Sequence, residues 1–156
     1  MGLIEALGAW PGAALLQGSG TAYLLVNAAH ILGVALIVGA IAPLDLRLLG
    51  LFSSAPLAAL APPLTRTAGF GVALALVTGS WLFTVAPANY AANGAFLAKL
   101  GLLAAALGNF GLQHANPAFR AALAGGAITP RVRVQALLSV ALWLGVLLAG
   151  RWIGFA

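Results

Sequence analysis

Three side chains able to bind an anion or a metal ion interrupt long apolar runs in this sequence. His30 lies in LLVNAAHILGVALIVGAIAPL, Lys99 in AFLAKLGLLAAALGNF and Arg151 in LWLGVLLAGRWIGF. A neutral imidazole nitrogen is a ligand for a metal or a haem iron, while ammonium and guanidinium groups bind carboxylates and phosphates. A charged side chain at the centre of a bilayer costs about 2.5–3.5 kcal/mol on an insertion scale, so such groups face a bundle interior and find a partner. Otherwise their long stems carry the charge to the membrane surface.

Asn27 precedes His30 by one helical turn and projects from the same face. It could fix the imidazole tautomer, as the outer partners of metal-bound histidines do, or make a plain interhelical hydrogen bond. Trp81 and Trp143 read as packing or as the wall of a pocket. Asp45, in PLDLRLLG, could pair with Arg47, Arg66, Arg131 or Arg133 as a structural clamp. His114, in GLQHANP, reads most simply as an interface residue.

Other chemistries are excluded by what is missing. No cysteine removes disulfides, thiolate metal sites and cysteine nucleophiles. Two acidic residues in the whole chain leave no carboxylate pair for acid–base work, and no phosphate loop, GxSxG elbow or HExxH motif occurs. No catalytic residue can be assigned, and whether the protein is an enzyme stays open. A net charge of +5 raises nucleic acid as a partner, but the seven basic residues are scattered and make no patch, so none is expected.

The elements that must position these groups are membrane helices. With 63% hydrophobic and 6% charged residues, the 156-residue chain lies far outside the range of water-soluble domains and fits one membrane domain. Spanning helices need about 20 mostly apolar residues, which predicts spans at about 21–43, 68–86, 94–114 and 133–153. SAPLAALAPPLT interrupts helix with three prolines, PANYAANG is a tight turn, and NPAFRAALAGGAITP reads as an Asn-capped short helix stopped by Gly125 and Gly126. Residues 3–17 have apolar positions at helical spacing with Trp10 as anchor, which predicts an amphipathic interfacial helix. The stretch lacks the basic start and apolar run of a cleaved signal. The expected architecture is an all-α four-helix transmembrane bundle.

Arg47 and Arg66 bracket the first connection and Arg120, Arg131 and Arg133 lie in the third, while the second connection and the amino-terminal stretch have no basic residue. The positive-inside rule then puts connections one and three in the cytoplasm and both termini outside, as for a bacterial inner-membrane protein. With a rise of about 1.5 Å per residue, His30 falls roughly 6 Å, Lys99 roughly 7–9 Å and Arg151 roughly 10–12 Å to the outer side of each span's midpoint. Trp81 belongs to the same half. His114 lies roughly 15–20 Å below His30 on this scale, too far to share one metal ion.

HILGVALIVGAIAPLDLRLLG, together with GFGVALALVTGSWLF, AFLAKLGLLAAALGNF and LWLGVLLAGRWIGF, resembles the bacterial membrane proteins of domain-of-unknown-function family 6644 over nearly the whole chain. That resemblance implies four spanning helices and no established activity. A more distant likeness runs to HemJ-type protoporphyrinogen oxidases and CopD-like copper proteins, through the early histidine of span one, here His30. For the HemJ type it also runs through a lysine in a K-L context, here Lys99 and Leu100, positions that the resemblance associates with haem or porphyrin.

The functional expectation is a haem b or related porphyrin or redox cofactor in the outer half. His30 would be the axial ligand with Asn27 beside it, Lys99 and Arg151 would engage the propionates, and Trp81 would line the pocket. A non-catalytic accessory or scaffold subunit is the competing class, with small residues in GVALIVG and GLLAAALG letting helices approach in a homo-oligomer or larger complex. A third reading has the same basic layer bind a quinone or a lipid headgroup.

Overall fold

The computed structural model describes residues 2–155. Eight helices follow in order: α1 (Leu3–Ala9), α2 (Pro11–Gly18), α3 (Gly20–Leu49), α4 (Leu57–Phe83), α5 (Pro87–Ala92), α6 (Gly94–Ala115), α7 (Pro117–Leu123) and α8 (Pro130–Trp152). Four of them, α3, α4, α6 and α8, are long and apolar enough to cross a membrane. Leu24, Leu25, Phe70, Leu112 and Leu148 are among the large apolar side chains left exposed, which is the surface a bilayer rather than water would cover. The protein is an all-α, multi-pass integral membrane protein built on a four-helix bundle.

Local sequence sets the helix ends. The Ser19 side chain accepts a hydrogen bond from the Ala22 amide at 3.2 Å and starts α3. Gly50, at φ 110°, ends it in the left-handed conformation that a residue without Cβ adopts freely. Asn93 caps α6 through the Phe96 amide at 3.0 Å, and Asn116 caps α7 through the Ala118 amide at 3.0 Å. The short helix expected after Asn116 is α7, and Gly125 follows it at φ 92°.

Three expectations about the connections fail, each through proline or tertiary packing. SAPLAALAPPLT does not interrupt helix: α4 begins at Leu57 and continues through Pro62 and Pro63. Each proline removes one bond to the carbonyl four residues earlier, and those carbonyls belong to Ala58 and Ala59, which are exposed. Pro43 lies inside α3 in the same way, with the exposed Gly39 four residues before it. PANYAANG contains a turn of helix, α5, rather than turn alone. The amino-terminal segment expected to be one interfacial helix is two helices, broken at the extended Trp10 where Pro11 opens α2.

In the bundle, α3 packs against α4 on one side and α8 on the other, and α6 packs against α8. The closest approach joins α3 and α4 at Gly33 and Gly71. A Cβ on Gly33 would come within 2.9 Å of the Ala75 nitrogen, and one on Gly71 within 2.8 Å of the Gly33 carbonyl oxygen. Gly33 of span one is therefore used inside the chain, while Gly39 has open space beside it. Gly101 and Gly108 of α6 have open space beside them.

Buried apolar residues form two clusters. Ile37, Ala40, Ala68, Ala106 and Trp143 fill the middle, and Leu48, Leu57, Phe119, Val132 and Ala136 fill the end that carries Arg47, Arg66, Arg120, Arg131 and Arg133. Trp143, 5% exposed, is a packing residue. At the opposite end, where both termini lie, α1 and α2 fold back against α4 and α5.

Candidate polar site between α3, α4 and α6

His30 on α3 points at α4, and the α4 backbone defines its tautomer. Its Nδ1 lies 3.1 Å from the Ala75 carbonyl oxygen and 3.1 Å from the Thr78 hydroxyl oxygen. The carbonyl can only accept, and the Thr78 hydroxyl donates its own hydrogen to the Leu74 carbonyl at 2.6 Å. Both partners thus need a donor, so the proton sits on Nδ1. The other nitrogen, Nε2, presents its lone pair to the Lys99 ammonium, 3.5 Å away on α6. The result is a chain of donors running one way: Lys99 to His30, His30 to Ala75 and Thr78, Thr78 to Leu74.

Two glycines make room for this chain. A Cβ at Gly79 would stand 3.0 Å from His30 Cε1, so the imidazole edge rests where α4 has no side chain. The Lys99 stem crosses α8 at Gly150, whose added Cβ would be 3.5 Å from Lys99 Cε. Lys99, five residues into α6, lies roughly 7–8 Å from that helix's start. Phe96, one turn before Lys99, stacks on Phe83 at 5.5 Å and 14°, and meets Tyr90 at 5.5 Å. Burial, with Tyr23 alongside, pushes the Tyr90 phenol above its ordinary range.

Among the described residues no side-chain carboxylate balances the ammonium. Glu5 is exposed on α1 and accepts the Gly2 amide at 3.0 Å, and Asp45 is fifteen residues along α3 from His30, roughly 22 Å. Lys99 is half-buried with a neutral imidazole as its polar neighbour.

The residues expected to share this layer divide. His30 and Lys99 meet. Asn27 is half-buried but is not a partner of His30, whose tautomer is set by Ala75 and Thr78 instead. Trp81 does not line a pocket beside His30: its Nε1 donates to the Gly12 carbonyl at 2.9 Å and its ring lies 6.3 Å from Trp10, so it straps α2 onto the bundle. Gln17 reinforces that strap with bonds to Gly8 and Val85 carbonyls at 3.2 and 3.0 Å. Arg151 does not look inward. It is exposed, with its guanidinium 5.1 Å from the Phe155 ring, the pose of a surface anchor. Thr78, missed in the sequence reading, carried one faint signal: a hydroxyl residue one turn before Trp81 in an otherwise apolar run.

The expected clamp at the arginine-bearing end is not formed. Asp45 is 2% exposed, while Arg66, Arg131 and Arg133 are exposed and Arg47 turns its Nε to the Ala55 carbonyl at 2.7 Å. His114 is half-buried at the same end. Its Nδ1 donates to the Phe110 carbonyl at 2.9 Å and its ring packs on Phe110 and Phe119.

The fit of a haem can be tested on this geometry. The Nδ1–H tautomer leaves Nε2 as the ligating nitrogen, but the Lys99 ammonium lies in front of it, a cation where the iron would sit. The ring itself is wedged against Gly79 and Ala75, and the propionate and pocket partners, Arg151 and Trp81, point elsewhere. The residues present do not fit an axially ligated porphyrin at His30. Among the described residues no group of three or more histidine, cysteine or acidic side chains is placed to hold a metal ion.

What the fold and site define is an integral membrane bundle with a one-directional polar chain bridging three of its spans. Comparison of the chain with family models, curated proteins and solved structures gave no match.

Proposed function

We propose that the protein binds the oxygen-bearing headgroup of a lipid-soluble molecule at Lys99, with His30 and Thr78 holding the ammonium in place. The observation that carries this reading is the half-buried Lys99 ammonium, which among the described residues faces the His30 acceptor at 3.5 Å and no side-chain carboxylate. An ammonium has three donors, and a phosphate or carbonyl oxygen would take those that imidazole cannot. His30 cannot serve as a second cation here without facing Lys99, so it acts as the neutral acceptor that orients it. The distribution of arginines supports placing their end in the cytoplasm and this site in the outer half of a bacterial inner membrane, with both termini outside.

The phospholipid phosphate and the quinone carbonyl share this chemistry, and native mass spectrometry of the detergent-solubilised protein distinguishes them by the mass retained. The expected result is retention of an anionic phospholipid or a quinone that drops about tenfold or more in Lys99→Met, an ion-pair loss of about 1.4 kcal/mol or more. Retention unchanged in Lys99→Met would overturn the proposal. So would a Soret band in the visible spectrum that vanishes in His30→Ala, which would restore the haem reading. A colourless protein that retains no lipid but copurifies with another subunit would favour the scaffold reading.

A further inference from the structure

The arginine-bearing half holds a second polar group that the headgroup site does not use. A cavity of about 20 Å³ lies between α3, α4, α6, α7 and α8, lined by Asp45, Thr65, Gln113, His114, Phe119 and Ser139 among others. It has room for about one water molecule. Asp45 is 2% exposed and its Oδ2 has no hydrogen-bond partner, while the Ser139 hydroxyl faces the same carboxyl. His114 borders the cavity from α6 with its Nδ1–H donated to the Phe110 carbonyl, which leaves Nε2 as the nitrogen able to exchange a proton.

Asp45 and His114 border one water-sized cavity, and a single water there could donate to the unpartnered carboxyl oxygen and to an imidazole nitrogen at once. The groups facing Asp45 from the packed helices are Thr65 on α4, Gln113 and His114 on α6, Phe119 on α7 and Ser139 on α8. None of these is a fixed cation, and the arginines of this end are exposed or, for Arg47, bonded to Ala55. A buried carboxylate without a counter-charge is costly and takes up a proton or a cation instead. The cavity holds one carboxylate, and among the described residues no group of three or more histidine, cysteine or acidic side chains gathers there to hold a metal ion.

We propose that Asp45 and His114 form a proton-exchange site in the arginine-bearing half of the bundle. The half-buried imidazole takes a proton on Nε2 from the aqueous edge. That N–H bond breaks as the proton passes, through one cavity water, to form an O–H bond on Asp45 Oδ2. The imidazole returns to its neutral Nδ1–H form, and the Ser139 hydroxyl keeps the other carboxyl oxygen in place. Proton binding here is independent of whether a lipid occupies Lys99.

Infrared difference spectroscopy of the full chain in lipid vesicles tests this, because Glu5 and Asp45 are the two acidic side chains present. In Glu5→Gln, a protonated-carboxyl C=O band should grow on acidification, reverse on raising the pH and shift in heavy water. It should be missing in Asp45→Asn, with the C-terminal carboxyl common to both. His114→Gln should slow deuterium entry at that band by about tenfold or more. A band in Glu5→Gln that does not change with pH, or that responds to sodium at constant pH, would overturn the proposal. Unchanged exchange in His114→Gln would remove His114 from it. Because the Glu5→Gln spectrum reads Asp45 in its native setting, the outcome does not depend on Asp45→Asn folding.

Discussion

The two polar regions of this bundle solve the same problem with opposite signs and to different degrees. Around His30 the donors run in sequence from Lys99 through Thr78 to the Leu74 carbonyl, the Lys99 ammonium keeps further N–H groups to donate, and the unbalanced charge is positive. Around Asp45 one carboxyl oxygen has no partner, and the charge in question is negative. The first region ties α3, α4 and α6 together by hydrogen bonds, whereas the second sits in a cavity that the surrounding helices close by apolar packing. Satisfied polar groups within a membrane hold helices together, and an unsatisfied one marks exchange with something mobile.

Substitutions can break or sharpen that contrast. The largest effect is expected from Gly71→Leu, which drives a side chain into the Gly33 carbonyl and Ile37, parts α3 from α4 and so removes His30 from Ala75 and Thr78. A loss of about 3 kcal/mol or more is expected, measured as thermal unfolding in detergent; an unchanged melting temperature would mean the helices do not touch there. His30→Ala should cost about 1–2 kcal/mol, because it opens the chain at its centre and leaves Lys99 without an acceptor.

Asp45→Leu should act in the opposite direction, leaving stability unchanged or raised by about 1 kcal/mol, since it removes a buried carboxyl with one unpartnered oxygen. Equal destabilisation by His30→Ala and Asp45→Leu in the same assay would erase the distinction between the two regions. Thr78→Val is expected to cost about 0.6 kcal/mol, a usual value for one interhelical bond in a membrane protein, because Ala75 still accepts from Nδ1. Smallest of all, Arg151→Ala should change unfolding by less than about 0.5 kcal/mol and leave lipid retention as it was, as an exposed anchor would. A loss of retained lipid in that variant would return Arg151 to the site.

Much of the arrangement was legible in the residues themselves. Four apolar runs of bilayer length gave the four spans, and Asn116 with Gly125 gave α7, because these signals are local and strong. The common level of His30 and Lys99 also followed from helical rise. Rotation about each helix axis did not. Arg151 is one residue from Gly150, which lies directly against the Lys99 stem, yet it points outward. Depth alone cannot separate those two neighbours. Proline misled for a related reason: Pro62 and Pro63 free carbonyls only on an exposed face of α4, a fact about the packed helix rather than the dipeptide.

By itself the sequence determined that this chain lives in a membrane, how many times it crosses and which half carries the imidazole and the ammonium, because length, hydropathy and charge act residue by residue. Tertiary structure alone decided which polar groups meet. Helix rotation and the Gly33–Gly71 contact brought His30 onto the α4 backbone, turned Arg151 away and left one Asp45 oxygen without a partner. Those outcomes depend on which faces of separate helices pack together, and no single apolar run encodes that.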